Sequence, residues 1–202
     1  MTNTWGGRPG RGTMATADHL DTRTRLHLGS GLRYDPEAVN VDVVAAGKAD
    51  VFHDLNRRPW PFPDNRFESV VMRDVLEHLD DTLAVVEEIH RVCKPGARVH
   101  IVVPHFSSNG AFTDPTHKRF FSALTFDYFT ERHPQNFYTA ARFRIGERQI
   151  VFRPTLLNKL VWRLANRFPE AYENAWAWMF PAWFISVSLI VVKATPGARS
   201  DT

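Results

Sequence analysis

Gly29 and Gly31 stand directly behind a short strand-like run at 25–28, and Asp42 and Asp54 stand near the ends of the next two such runs. Glycine lets a chain turn tightly and bring its backbone close to a ligand where a Cβ would intrude. A carboxylate at Asp42 can accept both hydroxyl hydrogens of a ribose, and one at Asp54, further along the same edge, can meet an adenine amino group. Together these residue types describe a nucleoside site, against the plainer reading of a simple turn flanked by two solvated aspartates. A dinucleotide fingerprint asks for a third glycine and an acid about 20 residues on. Here Arg33 and Tyr34 occupy the place of that glycine and Asp42 comes much sooner, so a pyrophosphate is excluded. A phosphate-cradling P-loop is excluded as well, because its Gly-Lys-Ser/Thr ending is absent.

The second concentration of reactive side chains is His105-Phe106-Ser107-Ser108 and then Asp114-Pro115-Thr116-His117-Lys118-Arg119-Phe120-Phe121. It follows a strand carboxyl end, where open sheets place their ligands. Histidine titrates near neutrality and suits proton abstraction from a hydroxyl, so His105 or His117 is the candidate general base, with Asp114 orienting a histidine or binding substrate. The bland alternative is that His117 and Asp114 cap or brace the following helix. A metal site made of His105, Asp114 and His117 lacks a tight ligand repeat, and no metal is expected. His78 reads as structural, at the opening of a helix, and Cys93 as a small core hydrophobe rather than a reactive thiol.

Elements that position these groups follow from hydrophobic pattern and punctuation. Short strands are expected at 25–28, 39–44 and 49–53, with an unusually short first crossover. Pro59, Pro61 and Pro63 make 56–65 a loop. A buried strand at 67–72, an amphipathic helix at 79–92 ended by Lys94-Pro95-Gly96, and a strand at 98–103 closed by Pro104 give the alternation of a parallel sheet with crossovers. Beyond it come a helix at 122–131, a strand at 142–152, helical residues at 155–180 interrupted by Pro169, and a last strand at 183–193.

With 202 residues, 44% of them hydrophobic, the chain is long enough for one sizeable core. A formal charge of +3, scattered rather than gathered in a block, gives no footprint for nucleic acid. A single cysteine rules out an intramolecular disulfide and suits a reducing compartment, so a cytoplasmic location is expected. The glycine-rich first residues carry neither a secretory signal nor a membrane anchor and read as a disordered leader at 1–22, in which Met14 is an alternative start. A single domain is expected at 23–195, with a helical insertion at 155–181 before the last strand, and a disordered tail at 196–202.

Read in order, Leu26-His27-Leu28-Gly29-Ser30-Gly31, Asn40-Val41-Asp42, His53-Asp54-Leu55, Trp60-Pro61-Phe62-Pro63-Asp64, Val75-Leu76-Glu77-His78-Leu79 and Arg91-Val92-Cys93-Lys94-Pro95-Gly96 resemble the successive motifs of class I S-adenosylmethionine-dependent methyltransferases. Within that family the chain is similar to small bacterial members with a shortened first crossover. The resemblance implies an α/β fold, a Rossmann-like three-layer sandwich whose seven-stranded sheet is mostly parallel with an antiparallel last strand. It implies S-adenosylmethionine as cofactor, with Gly29, Ser30 and Gly31 along its methionine part, Asp42 on the ribose, Asp54 and Leu55 flanking the adenine, and Arg73 and Asp74 closing over it. Two positions depart from the pattern: His27 stands where the family usually has an acid, and Arg33 replaces the last glycine of the turn.

Methyl transfer from a sulfonium needs alignment and exclusion of water more than any fixed catalytic residue. The expected activity is therefore methylation, at oxygen, of a small-molecule, lipid or glycan-type acceptor. A catalytically degenerate binding or scaffold protein is the alternative that His27 and Arg33 suggest. Trp162, Trp176, Trp178 and Trp183, with Phe168, Phe180 and Phe184, crowd the carboxyl-terminal part beside Lys159, Arg163 and Arg167. That density fits a core cap, a homodimer interface, an acceptor site or peripheral membrane contact.

Overall fold

The structure, a computed structural model, describes residues 22–44 and 48–193. Seven strands form one sheet: β1 (Arg25–Leu28), β2 (Ala38–Asp42), β3 (Val51–Phe52), β4 (Phe67–Arg73), β5 (Cys93–Pro104), β6 (Arg142–Val151) and β7 (Phe184–Val192). Their order is β3-β2-β1-β4-β5-β7-β6. The five on the β3 side are mutually parallel, and β7 enters antiparallel between β5 and β6. This is the Rossmann-like α/β sheet that the motifs imply. The order reverses direction between β1 and β4, and the carboxyl ends of these two strands mark the switch point at which open α/β sheets hold ligands.

Buried pattern explains the placement. Every residue of β2 is buried, as a strand covered on both faces requires, whereas β7 alternates, with Ile185, Val187, Leu189 and Val191 turned into the core. The crossover from β1 to β2 contains no helix. Polar bonds do the ordering there: Asn40, fully buried, accepts from the Asp35 amide and donates to the carbonyls of Asp35 and Ala38. Asp50 accepts from the Asn40 amide and side chain, from Arg23 and from Tyr34. Burial works against the charge of Asp50, but these bonds outweigh it and hold its carboxyl below the usual range.

Several boundaries differ from the sequence expectation, each for a local reason. The helix expected at 79–92 begins only at Thr82, as α1 (Thr82–Val92), behind a separate 3₁₀ turn at Leu76–His78, because the Asp81 side chain accepts from the Ala84 amide and starts the helix there. Lys94-Pro95-Gly96 lies inside β5, whose pairing with β4 shifts register between Phe67 and Ser69, with Gly96 at φ 76°. A four-residue helix, α2 (Gly110–Thr113), follows β5. The helix expected at 122–131 is a 3₁₀ turn at Thr125–Phe129, whose i, i+3 period buries Phe126 and Phe129 together. Pro169 separates α3 (Leu156–Arg167) from α4 (Pro169–Ala175) by occupying the first position of the latter, where its missing N–H costs nothing. α3 and α4 contribute Val161, Ala165 and Tyr172 to a small second core with Ile150 and Phe152.

All of the expected leader except its last residue, Met14 and the expected tail lie outside the described residues. Among the described residues no helix is long and apolar enough to cross a membrane.

Candidate functional site

Parallel pairing aligns Leu28 with Val41 on one side and Met72 on the other, so the turn after β1 emerges between the ends of β2 and β4. The amides of Gly29 and Ser30 both donate to the Val41 carbonyl, at 2.8 and 3.1 Å, which folds the turn over β2. Gly31 then donates to Asp42 Oδ2 at 2.7 Å, and Val44 donates to Oδ1 at 2.8 Å. One lone pair on each Asp42 oxygen is left for an outside hydroxyl. Gly29 takes φ 63°, and a Cβ on it would lie 2.1 Å from Val75 Cγ2, in the loop after β4. Gly31, at φ 51°, faces open space. Between them the Ser30 hydroxyl is buried and has no partner among the described residues.

Around this turn the other expected residues fall as follows. Asp54 is partly exposed and accepts from the Asn56 amide, while Leu55 is buried in the main core and its carbonyl accepts from Trp60 Nε1. Arg73 is exposed. Asp74 adopts φ 55° and pairs with Arg33 at 3.3 Å, so the arginine that breaks the glycine pattern ties the β1 turn to the β4 loop. Burial keeps the half-buried His27 ring below its ordinary pKa, partly offset by a hydrogen bond to Asn40.

Glu77, His78 and His117 meet just beyond. Glu77 is 1% exposed, and among the described residues neither of its carboxylate oxygens has a partner beyond its own backbone. Burial pushes its carboxyl up to about 7, with Asp74 and Asp114 adding to the rise and a backbone bond and His117 opposing it. The two imidazoles pack edge to face with centroids 4.6 Å apart. Segment 114–119 is stitched to this place: the amides of Lys118 and Arg119 donate to the Glu77 carbonyl, and Lys118 Nζ donates to Asp80. His117 Nδ1 lies 2.9 Å from the Ala111 carbonyl, and His78 Nδ1 lies 2.9 Å from Thr116 Oγ1. Asp114 is exposed and braces its own turn, accepting from both the amide and the hydroxyl of Thr116. The hydroxyl and amide of Thr116 hold the Asp114 carboxyl below the usual range.

His105 has a different role from the one its position suggested. It is fully buried; Nδ1 accepts from the Ser107 amide at 3.1 Å, and Nε2 faces Glu173 Oε1 at 3.0 Å. Glu173 also accepts from the Ala123 amide. With both ring nitrogens engaged inside the protein, His105 ties β5 to α4 and has no free nitrogen for an acceptor. His117 is half-buried with its Nε2 in no hydrogen bond among the described residues. Sequence reasoning passed over Glu77 and Glu173. A lone acid in the apolar run Val75-Leu76-Glu77-His78-Leu79 was a usable signal for the first. Glu173 lies 68 residues from His105 in sequence and gave none.

Residues 9–101 match the methyltransferase domain family. Over those residues, a little under half of the chain, the sequence is similar to that family. Its fold is shared with an S-adenosylmethionine-dependent methyltransferase from Archaeoglobus fulgidus, at TM-score 0.58 and 18% identity over 83% of this chain and 86% of that one. YcgJ from Bacillus subtilis matches at TM-score 0.55 and 15% identity, over 86% and 94% of the two chains. The [4+2]-cyclase SpnF matches at 0.52 and 17%, over 88% and 78%. No curated protein matches the sequence. At these identities the neighbours speak to the fold alone, and the chemistry of this chain rests on its own residues.

Proposed function

We propose that the chain transfers the methyl group of S-adenosylmethionine to an oxygen of a small-molecule, lipid or glycan-type acceptor. The observation that carries this reading is the Asp42 carboxylate, fixed by two backbone amides beside the switch point with a lone pair on each oxygen still available. The orphaned Ser30 hydroxyl and the open space at Gly31 fit a ligand lying along the same turn. When bound, the cofactor supplies an activated methyl group on a positive sulfur. The chain's own work is placement: Asp42 accepts the ribose hydroxyls, Asp54 lies along the edge for the adenine, and the turn at 29–31 supports the methionine end. Leu55 acts from the core beneath the adenine side, and Arg33 and Asp74 clasp the entrance. His117, with its unengaged Nε2, is the residue placed to take a proton from an acceptor hydroxyl.

The acceptor's side is more apolar. A groove of about 640 Å³ runs past Ser108, Phe112, Trp178, Met179 and Trp183, and Phe112 belongs to α2, whose Ala111 carbonyl holds His117. Exposed apolar residues on α3 and after α4 beside Arg153, Lys159, Arg163 and Arg167 favour a second element of this reading, contact with an anionic membrane surface.

The decisive experiment is calorimetric titration with S-adenosylmethionine and with its demethylated product. Wild-type protein binds both, and Asp42→Ala weakens both by roughly 10- to 100-fold, the loss of two hydrogen bonds to a charged group. Circular dichroism checks that the variant is folded. If folded wild type binds neither, the methyl-transfer reading fails. Binding without transfer of labelled methyl to any acceptor in a broad screen would favour the scaffold alternative.

A further inference from the structure

We propose that Glu77, His78 and His117 form a binding site for a divalent first-row transition metal ion beside the acceptor end of the methyl-transfer site. One ligand atom from each of the three lies within 4.8 Å of the others. Three independent features of the cluster point to a cation rather than to a packing accident.

The first is the unsatisfied carboxylate. A buried carboxylate without a hydrogen-bond partner is costly, and native structures retain such groups where something else balances them. Among the described residues neither Glu77 oxygen has a partner beyond its own backbone, and its exposure is only 1%. The segment nevertheless keeps it there, with the Glu77 carbonyl holding the amides of Lys118 and Arg119.

Tautomer is the second. Each imidazole uses Nδ1 in a bond that presents Nε2 as a lone pair. For His117 the partner is the Ala111 carbonyl, which only accepts, so Nδ1 carries the proton. For His78 the partner is Thr116 Oγ1, whose own proton is donated to Asp114 at 2.6 Å. The hydroxyl therefore accepts from His78 Nδ1. A carbonyl behind one histidine and a carboxylate-backed hydroxyl behind the other is the outer support that metal-binding histidines require.

Chemistry of the donors is the third. Two imidazole nitrogens and one carboxylate oxygen suit zinc and its first-row neighbours, and leave coordination positions open for an outside oxygen, whereas calcium and magnesium prefer all-oxygen sites. Ligands about 2.0–2.1 Å from such an ion sit roughly 3.3 Å apart in a tetrahedral arrangement, so the three groups need close by at most about 1.5 Å. Asp74 and Asp114 nearby add negative potential. Metal binding here stands on its own. An ion so placed would take up the His117 Nε2 lone pair, so that an acceptor hydroxyl bound to the ion would lose its proton to solvent rather than to His117, a consequence that replaces the base role of His117 and rests on the methyl transfer proposed above.

The test uses the full chain without a histidine tag, stripped by a chelator and titrated with Zn²⁺ against a competing chromophoric chelator, then with Co²⁺ followed by its visible absorption. The expected result is saturable binding of one ion. His117→Ala and Glu77→Gln each weaken it by roughly 100-fold, Thr116→Val weakens it by roughly tenfold through the His78 tautomer, and His133→Ala leaves it unchanged. Circular dichroism confirms the fold of each variant, and Thr116→Val serves where the buried Glu77 substitution fails to fold. Absence of saturable binding, or binding that the cluster variants leave intact, overturns the site. Cofactor titration of the same metal-free protein reads the methyltransferase proposal separately, since Asp42 is not a ligand of this cluster.

Discussion

At the scale of single residues, the turn behind β1 and the carboxylate that caps it were legible, and the surroundings of the histidines were not. Gly29, Gly31 and Asp42 announce themselves because backbone freedom and a carboxylate at a strand end have few other uses in that order. Glu77 and the tautomers of His78 and His117 depend on what surrounds them, which no spacing encodes. His105, the nearest histidine to a strand end, was the natural candidate base, yet Glu173 from a distant helix takes its second nitrogen. Gly29 carries a sharp consequence for stability. Alanine there puts a Cβ 2.1 Å from Val75 Cγ2, against a β-branched side chain with little rotamer freedom, and also forces a positive φ. Gly29→Ala should cost about 2 to 4 kcal/mol, the sum of left-handed strain and overpacking. Urea unfolding of Gly29→Ala and of the double variant with Val75→Ala separates the two: the second change should recover about half, because it removes the clash and leaves the strain. Full recovery would mean that backbone conformation at this turn is unimportant.

Elements were predicted in kind more reliably than in extent, and the misplaced ends share a cause. Caps and turn bonds set them: Asp81 starts α1 later than the apolar period begins, and the bulge at Gly96 lets β5 start at Cys93, where the period alone places a helix stop. The proline-rich loop at 56–65 was recognised as a loop, but its order comes from α1. Arg91 donates to the carbonyls of Phe62 and Trp60 and to Asp64 and Glu88, while Glu88 accepts from the Trp60 amide. The hydrogen bonds that Arg91 donates to Glu88 strengthen the charge of Arg91, and together with the Trp60 amide they outweigh burial to keep the Glu88 carboxyl below its usual range. One side chain thus fastens the whole loop to the helix, with the buried Trp60 as its anchor. Arg91→Ala should destabilise by about 2 to 4 kcal/mol, since it leaves the half-buried Glu88 without its ion-pair partner and the Phe62 carbonyl unpaired. Native-state hydrogen exchange provides the specific readout: the Trp60 amide should lose protection well before amides in β4 and β5. Uniform loss across the sheet would show that Arg91 supports global stability alone and that the loop is held by packing.

On the scale of the whole molecule the open question is what meets the aromatic side, because composition announced a surface without saying which. Structure divides that segment. Tyr172, Ala177 and Ala182 close the second core, while Leu156 at 86%, Trp178 at 70% and Met179 at 73% exposure remain outside it. Leu156, Leu160 and Leu164 fall four residues apart along α3, all exposed, with Lys159, Arg163 and Arg167 exposed on the same helix. An apolar stripe edged by cations complements an anionic membrane surface, where aromatic and leucine side chains enter the boundary and basic ones meet headgroups. A second copy of this face would instead bring the three basic residues toward their equivalents. Sedimentation with vesicles therefore separates the two. Anionic vesicles should retain the protein, neutral vesicles should retain far less, and raised salt should release it because surface charges are screened. Trp176→Ala with Trp178→Ala should cut retention at least tenfold, each ring contributing on the order of 1.5 to 3 kcal/mol when buried. A protein that ignores anionic vesicles and elutes as a dimer would assign the same face to self-association and move the search for the acceptor to water-soluble molecules that fit the groove beside Phe112.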